Sequence, residues 1–491
     1  MFARPALLIH EFHPAPRSEA DEVRLRDRVS AWWDRCAAFG MDSPIALPDL
    51  PMDLPASMDE AAPYALLAGR RSAAGDGALY QALVYAAHDV IGLVALLAPN
   101  DDSADWHGLD GAWTAPQTEA APLGSARVHL AVVAEDAVQQ HLNDLAVALG
   151  AALPAAGDGA WARRRCRTPD GFLLWEAPAC AASERRLVVV APVAHEADLD
   201  AWAWTSGAGT LGPFVRYLLH AAKLRYEQAV LERESAQLRR LRRDTDDAVD
   251  AVLALQAHDG PAVTPARLLD ADLAVGRLQA KSDGVITALA ALHALDRTAL
   301  IAHANMRSVL AGSAAPGSPV ATDRELATWL RDRLADEIGY LSTTQKRAER
   351  VSRMSGAAVK QHLNDYQQRL AVLQTSFLGA LLMALAAVQT FGYQVPLPGR
   401  IQAPVIAVLA ALALALPSGV QRWSRANPGD APLGAIDTML VACLGGAVGW
   451  LAVAVLSHEL TGRPSQPGWT VLAGLIGAGA AVLFARRRLR Q

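Results

Sequence analysis

The sequence predicts an α+β head, a helical stalk and a C-terminal bundle of four transmembrane helices. Three observations carry that reading. Short apolar runs alternate with amphipathic helical stretches over residues 1–205; leucines recur every seven residues within 206–370; and the long uncharged runs crowd into 371–491.

In the head, "ALLIHEF" reads as a first strand and "SEADEVRLRDRVSAWWDRCAAF" as an amphipathic helix. "YQALVYAAHDVIGLVALLAP" reads as two strands that turn near His88 and Asp89. The series then restarts. "ARVHLAVVAED" is a strand, "AVQQHLNDLAVALGAAL" a helix, and "GFLLWEAP" and "RRLVVVAP" two further strands. Both halves close on an apolar strand, Ala-Pro, an acidic stretch, Leu-Asp and Trp, so the head reads as a duplicated βαββ unit.

In the stalk, Leu224, Leu231, Leu238 and Val252 share one heptad register, supported by Leu241 and Leu255. That spacing argues for a coiled coil or a long helical hairpin over 213–258, ended by Gly260-Pro261. Further helical stretches follow over 265–310 and 323–370. Between them "AGSAAPGSPVATD" reads as a flexible loop near 312–322 that ends near Arg324, and any regulatory proteolysis is expected within that loop.

Four spans are expected at about 372–394, 401–420, 437–457 and 468–485, each near the ~20 residues that cross a bilayer. Arg347, Arg350, Arg353, Lys360 and Arg369 precede the first span. Arg422 and Arg425 separate the second from the third, and Arg486, Arg487, Arg488 and Arg490 follow the fourth. The two remaining loops hold only Arg400 and Arg463. The positive-inside rule then gives a multi-pass protein of the inner membrane with both termini and the head in the cytoplasm. Gly445 and Gly449 form a GxxxG step, and Gly474, Gly477 and Gly479 a second small-residue face, which suits close packing within the bundle or in a homo-oligomer. Ionisable residues occur only at the span edges, as at Asp437, which argues against a proton relay or an ion-coupled transporter.

Composition narrows the remaining classes. The net charge is -5 and no basic stripe interleaves with aromatics, so nucleic acid is not an expected partner. The four cysteines lie far apart without a CxxC pair, which argues against a disulfide framework or zinc knuckle and suits a reducing cytoplasm. The apolar run at the N-terminus is too short for a signal peptide.

Few residues suggest chemistry. His10 and His13 in "HEFH" are three apart on a strand and point to opposite faces, whereas the HExxH zinc motif needs four on a helix. "GAGTLG" lacks the lysine and the preceding strand of a phosphate loop. Cys36, Cys166 and Cys180 have no local sequence that marks a nucleophile partnered by His88 or His220. Trp202 and Trp204 in "AWAWTSG" would share a face if extended, and read as core anchors. No catalytic, cofactor-binding or metal-binding residue is therefore assigned, and a non-enzymatic protein is expected. The most distinctive polar feature is a stripe on "PFVRYLLHAAKLRYEQ". There Arg216, His220, Lys223 and Glu227 fall within roughly 60° of one another on a helix. Placed where head meets stalk, the stripe reads as a docking clamp or hinge, or as a surface that meets a partner.

These same segments carry a resemblance. "GPFVRYLLHAAKLRYE", with "LLIHEFHPAP", "LPDLPMDLPAS" and "LVVVAP…LDAWAWTSG", resembles the bacterial CATRA family, named for association with caspases and TPR repeats. The resemblance covers the head and the start of the stalk, and extends in part to "SFLGALLMALAAVQTFGYQVPLP". It implies a partner that is a caspase-like protease with TPR repeats, in a conflict system that sacrifices the infected cell. It brings no catalytic residues. The expected role is a membrane-anchored effector or component; the alternatives are a channel or transporter with a cytoplasmic regulatory domain, and a passive scaffold.

Overall fold

Pleated alternation along the first strand sets the layering of the head. β1 (Ala3–Pro14) is buried over nearly its whole length. Leu7 and Ile9 face one core, while Ala6, Leu8 and Phe12 face another. The computed structural model describes residues 2–47, 49–58, 63–73, 78–100, 105–113, 122–139, 141–153, 160–178, 184–204, 209–257, 265–310, 315–393, 398–423, 435–461 and 466–488.

β1 pairs antiparallel with β5 (Val90–Ala98) on one side and with β6 (Gly124–Val133) on the other. The first half of the sheet continues outward through β4 (Leu79–Ala87), β3 (Ala65–Arg71) and the short β2 (Ser43–Pro44). The second half continues through β9 (Glu184–Pro192), β8 (Leu173–Ala177) and the edge strand β7 (Arg165–Arg167). The β6–β9 pair is parallel. Residues 88 and 89 do form the tight turn between β4 and β5, with His88 in the left-handed region at φ 55°.

The two halves share the order strand, helix, meander, but each has more strands than the two expected after the helix, with β2 and β3 added in one and β7 in the other. Their returning strands also differ: β5 runs antiparallel to β1, and β9 parallel to β6.

One face of the sheet is covered by α1 (Glu19–Ala38), α2 (Trp106–Ala112) and α4 (Leu142–Ala152), with the short α3 (Glu135–Gln139) before α4. α1 starts where Ser18 Oγ accepts the Asp21 amide at 3.2 Å, with three carboxylates in its first turn. It buries Leu25, Val29, Trp32 and Cys36, a helical stripe against β1 and its neighbours.

The other face carries α5 (Glu196–Ala203), α6 (Pro213–Ala257), α8 (Val285–Val309) and the beginning of α9 (Pro319–Tyr393). Leu224, Leu231, Leu238, Thr245 and Val252 of α6 are all buried, so the heptad register marks its packed side, and its first three members join one core with residues of α8 and α9. Trp202 closes α5 rather than lying on an extended segment, and stacks on Phe214 at 4.3 Å. The expected 265–310 helix is two, α7 (Pro265–Ala280) and α8, broken at Gly284, where a Cβ would meet the Leu278 carbonyl oxygen at 2.6 Å.

α9 begins inside the segment expected to be a loop. Ser318 Oγ accepts the Ala321 amide at 3.3 Å and Pro319 takes the first helical position, so "SP" is a helix-start signal. Residues 315–317 precede it as an exposed turn, and 311–314 lie outside the described residues.

The described residues divide into two units, Met1–Ala254 with Ala271–Ser352, and Leu255–Asp270 with Arg353–Gln491. The second contains α10 (Gly399–Trp423), α11 (Ala435–Thr461) and α12 (Pro467–Arg488). Among the described residues three stretches are long and apolar enough to cross a membrane: Ala266–Val309, Thr438–Leu460 and Pro467–Arg487. The first is α7 with α8; Val285, Leu289, Leu292, Ala299 and Met306 of α8 belong to the core of the head, whereas Leu269, Leu273, Ile286, Leu300 and Ile301 are exposed. Gln374–Thr390 and Ile401–Leu416 are apolar but shorter.

Candidate functional site

β9 carries two adjacent arginines between Glu184 and an apolar run, and alternation sends them to opposite faces. On the helical face, Arg185 Nε and Nη2 each donate to Glu176 of β8 at 2.8 Å. Its Nη1 donates to Asp323 Oδ2 at 3.0 Å. Asp323 lies at the start of α9, 1% exposed, and also accepts from Tyr217 Oη and Arg225 Nη2, each at 2.5 Å. One carboxylate thus ties β9, α6 and α9 together. Burial alone would raise the Asp323 pKa, but Arg185 and Arg225 outweigh it and hold the group below the ordinary carboxylate value. Burial, reinforced by Asp323, drives the Tyr217 phenol well up.

Arg186, on the other face, donates to Asp110 of α2. Asp110 also accepts from Arg127 at 3.0 Å and lies 3.2 Å from His129 Nε2. Arg127 Nε reaches Glu184 at 2.6 Å. Burial opposes ionisation of Asp110, and the hydrogen bonds from His129, Arg127 and Arg186 overcome it, so its pKa is lowered. A third pair, Glu11 of β1 with the fork of Arg28 on α1, closes at 2.8–3.1 Å. A carboxylate held ionised by arginines is a weak proton acceptor and a strong tether, so this chemistry suits fastening.

The predicted stripe borders the Asp323 clamp on α6 and is split between two neighbours. His220 Nε2 accepts from Asn305 of α8 at 2.9 Å, and Lys223 pairs with Asp89 in the β4–β5 turn. Arg216 is exposed and Glu227 half-buried. Burial, with Lys223 and Arg216 nearby, pulls the His220 pKa down to about 4. Burial raises that of Glu227, against the pull of Lys223 and Arg17.

Other candidates are dispersed. His10 is fully buried, stacked on Phe12, and held by burial to a pKa of about 3. His13 lies on the opposite face beside Glu11. Cys36 and Cys166 are buried thiols whose pKa burial raises, that of Cys166 to about 11, and neither hydrogen-bonds a histidine among the described residues. Cys180 and part of "GAGTLG" lie outside the described residues.

The bundle glycines come together. A Cβ at Gly445 would meet Gly477 O at 2.5 Å, and one at Gly449 would meet Ala473 O at 2.4 Å, so α11 and α12 approach backbone to backbone. Gly474 lies at the same seam near Gly446, with a Cβ there 3.7 Å from its carbonyl oxygen, whereas Gly479 is off the seam, since a Cβ there would meet nothing within 4 Å.

Asp323, Arg185, Tyr217 and Arg225 escaped the sequence reading. The signal was present as "RR" inside a valine-rich strand and as an aspartate just after a Ser-Pro helix start.

Two family models match the chain. The CASPASE and TPR Repeat-Associated N-terminal domain spans residues 6–207, and the corresponding C-terminal domain residues 212–348. Their junction falls immediately before α6, so the clamp joins one matched domain to the other, and the C-terminal apolar helices lie beyond both. No curated protein and no solved structure matches. From residue 6 to residue 348, across the sheet and the helices the clamp fastens to it, this chain belongs to the caspase and TPR repeat-associated family.

Proposed function

We propose that this protein is a non-enzymatic, membrane-anchored component of a bacterial conflict system that acts with a caspase-like protease and permeabilises the membrane on activation. The carrying observation is a connection. α9 opens at the buried clamp, within the family-matched region, and its own later residues form the apolar segment Gln374–Thr390. A change at the clamp therefore acts on the helix that leads toward the membrane. The family name supplies the partner class, caspase-like and TPR proteins.

The four-span reading joins α11 and α12 to the two shorter apolar helices. α10 extends over 25 residues, about 37 Å at 1.5 Å per residue, enough for a hydrocarbon core of about 30 Å. The distribution of arginines supports a cytoplasmic head, and the glycine seam supports a tight bundle or homo-oligomer. The repeated ending of the two head halves supports descent from one duplicated unit, with strand directions changed afterwards. A cut that released the helices would fall in the exposed turn 315–317 rather than at Arg324, which is already helical.

The test is membrane potential in cells expressing the full chain or a truncation ending at residue 370, each with and without the protease. Depolarisation that needs both the spans and the partner is expected. An unchanged potential in every arm would reduce the tail to an anchor and overturn the effector role.

A further inference from the structure

The sequence "WARRRCRT" holds four arginines in five positions. The head folds them around one cavity. Arg163 ends a short 3-10 turn, Arg164 follows, and Arg165 and Arg167 lie on edge strand β7 with Cys166 buried between them. Together with Leu142, Leu173, Ala315 and Pro316 they line an open space of about 350 Å³. Arg167 donates to the Val138 carbonyl at 3.0 Å. Among the described residues no carboxylate lines the cavity, and none pairs with Arg163, Arg164 or Arg165.

Charge on an edge strand also deters strand pairing, but that role needs no cavity. Here four permanently charged arginines line one, and their planar forks are the groups that grip phosphoryl oxygens in bidentate fashion. The volume lies near the lower end of small-ligand pockets, and the Leu142, Leu173 and Pro316 wall offers a modest apolar platform. We infer that this cavity binds a free, soluble, nucleotide-sized ligand bearing vicinal phosphoryl groups.

Its position gives the ligand something to act on. Ala315 and Pro316 belong to the turn that opens α9, and the Arg164 stem lies against Gly317, where a Cβ would stand 3.4 Å from Arg164 Cδ. Gly317 has φ 73°, so the turn depends on glycine there. An occupied cavity would brace that turn against β7, a few residues before Asp323.

The test is calorimetric titration of the full chain, in neutral detergent at physiological chloride, with inorganic pyrophosphate. Two double variants have equal charge change: Arg163→Glu with Arg165→Glu at the cavity, and Arg239→Glu with Arg243→Glu on the exposed side of α6. Saturable binding is expected in the native chain and the α6 variant, weakened at least about tenfold in the cavity variant, with unliganded melting temperatures unchanged. Absence of saturable binding, or equal weakening in both variants, overturns the inference. Short-chain phosphatidylglycerol is the second probe. Competition with pyrophosphate at comparable affinity would assign the site to a lipid headgroup and overturn the soluble ligand.

Discussion

Arg185 and Arg186 are consecutive on β9, yet they fasten different layers of the head: Arg185 holds Asp323 at the start of α9, and Arg186 holds Asp110 of α2. The two ion pairs thus sit back to back across one strand. Each is buried, so each depends on keeping both partners, because a lone buried charge costs far more than the intact pair contributes.

Asp323→Ala should therefore destabilise the head by about 3–5 kcal/mol, since Arg185 would keep only Glu176 and Tyr217 and Arg225 would lose their shared acceptor. Chemical denaturation of the full chain in detergent checks this. Restoring stability by adding Arg185→Met and Arg225→Leu would identify stranded charge as the cause. A loss under about 1 kcal/mol would mean that the cluster does not clamp.

The same substitution should change proteolysis locally. In the native chain Arg324 is helical, donates to the Leu310 carbonyl at 2.6 Å and follows a fully engaged aspartate, so trypsin should spare it. In Asp323→Ala the first turn of α9 should fray and Arg324 should become an early cleavage point, read by mass spectrometry of the first fragments. Equal early cleavage in both chains would argue that the start of α9 is open without any mutation.

The contrast between the legible and the hidden parts follows from sequence separation. β1, α1, the β4–β5 hairpin and the heptad face of α6 all show in local periodicity, because burial on one side imposes period two or period 3.6. The clamp joins residues 138 apart, Arg185 and Asp323, and no local pattern encodes that meeting. The stripe on α6 was visible because its members lie on one helix, but its neighbours, Asp89 and Asn305, come from distant turns and helices. The strand β7 was missed for a related reason: three residues, two of them arginine, carry no apolar alternation.

Acid should weaken the head before carboxylates titrate. Burial holds His10 neutral, lowering its pKa from 6.5 to about 3, and no charged group contributes. Below 6.5 the unfolded chain takes up a proton that the folded chain refuses, so stability falls as pH drops through the window between those values. His220 adds to the fall from 6.5 to about 4. Asp323 enters later: its lowered pKa makes a stabilisation that is present above the ordinary carboxylate value and lost as pH falls through the folded one. His10→Leu should therefore narrow the gap in melting temperature between neutral pH and about pH 5. An unchanged gap would show that His10 does not contribute to the acid response.

The apolar helices offer a test that needs no knowledge of the partner. On α12, a side chain at Gly477 would stand 2.3 Å from the Gly445 carbonyl oxygen, whereas one at Gly479 meets nothing within 4 Å. Gly477→Leu must push α11 and α12 apart and lose the close backbone contact, while Gly479→Leu adds the same apolar bulk to an open face. The two substitutions are equally hydrophobic, so insertion itself should be unaffected. Thermal stability of the full chain in detergent should fall for the first and stay near the native value for the second. In cells, the depolarisation assay should follow the same order if the α11–α12 seam belongs to the active assembly. Equal stability of both variants would mean that the seam can be remade around a leucine, and the glycines would then lose their assigned role in packing.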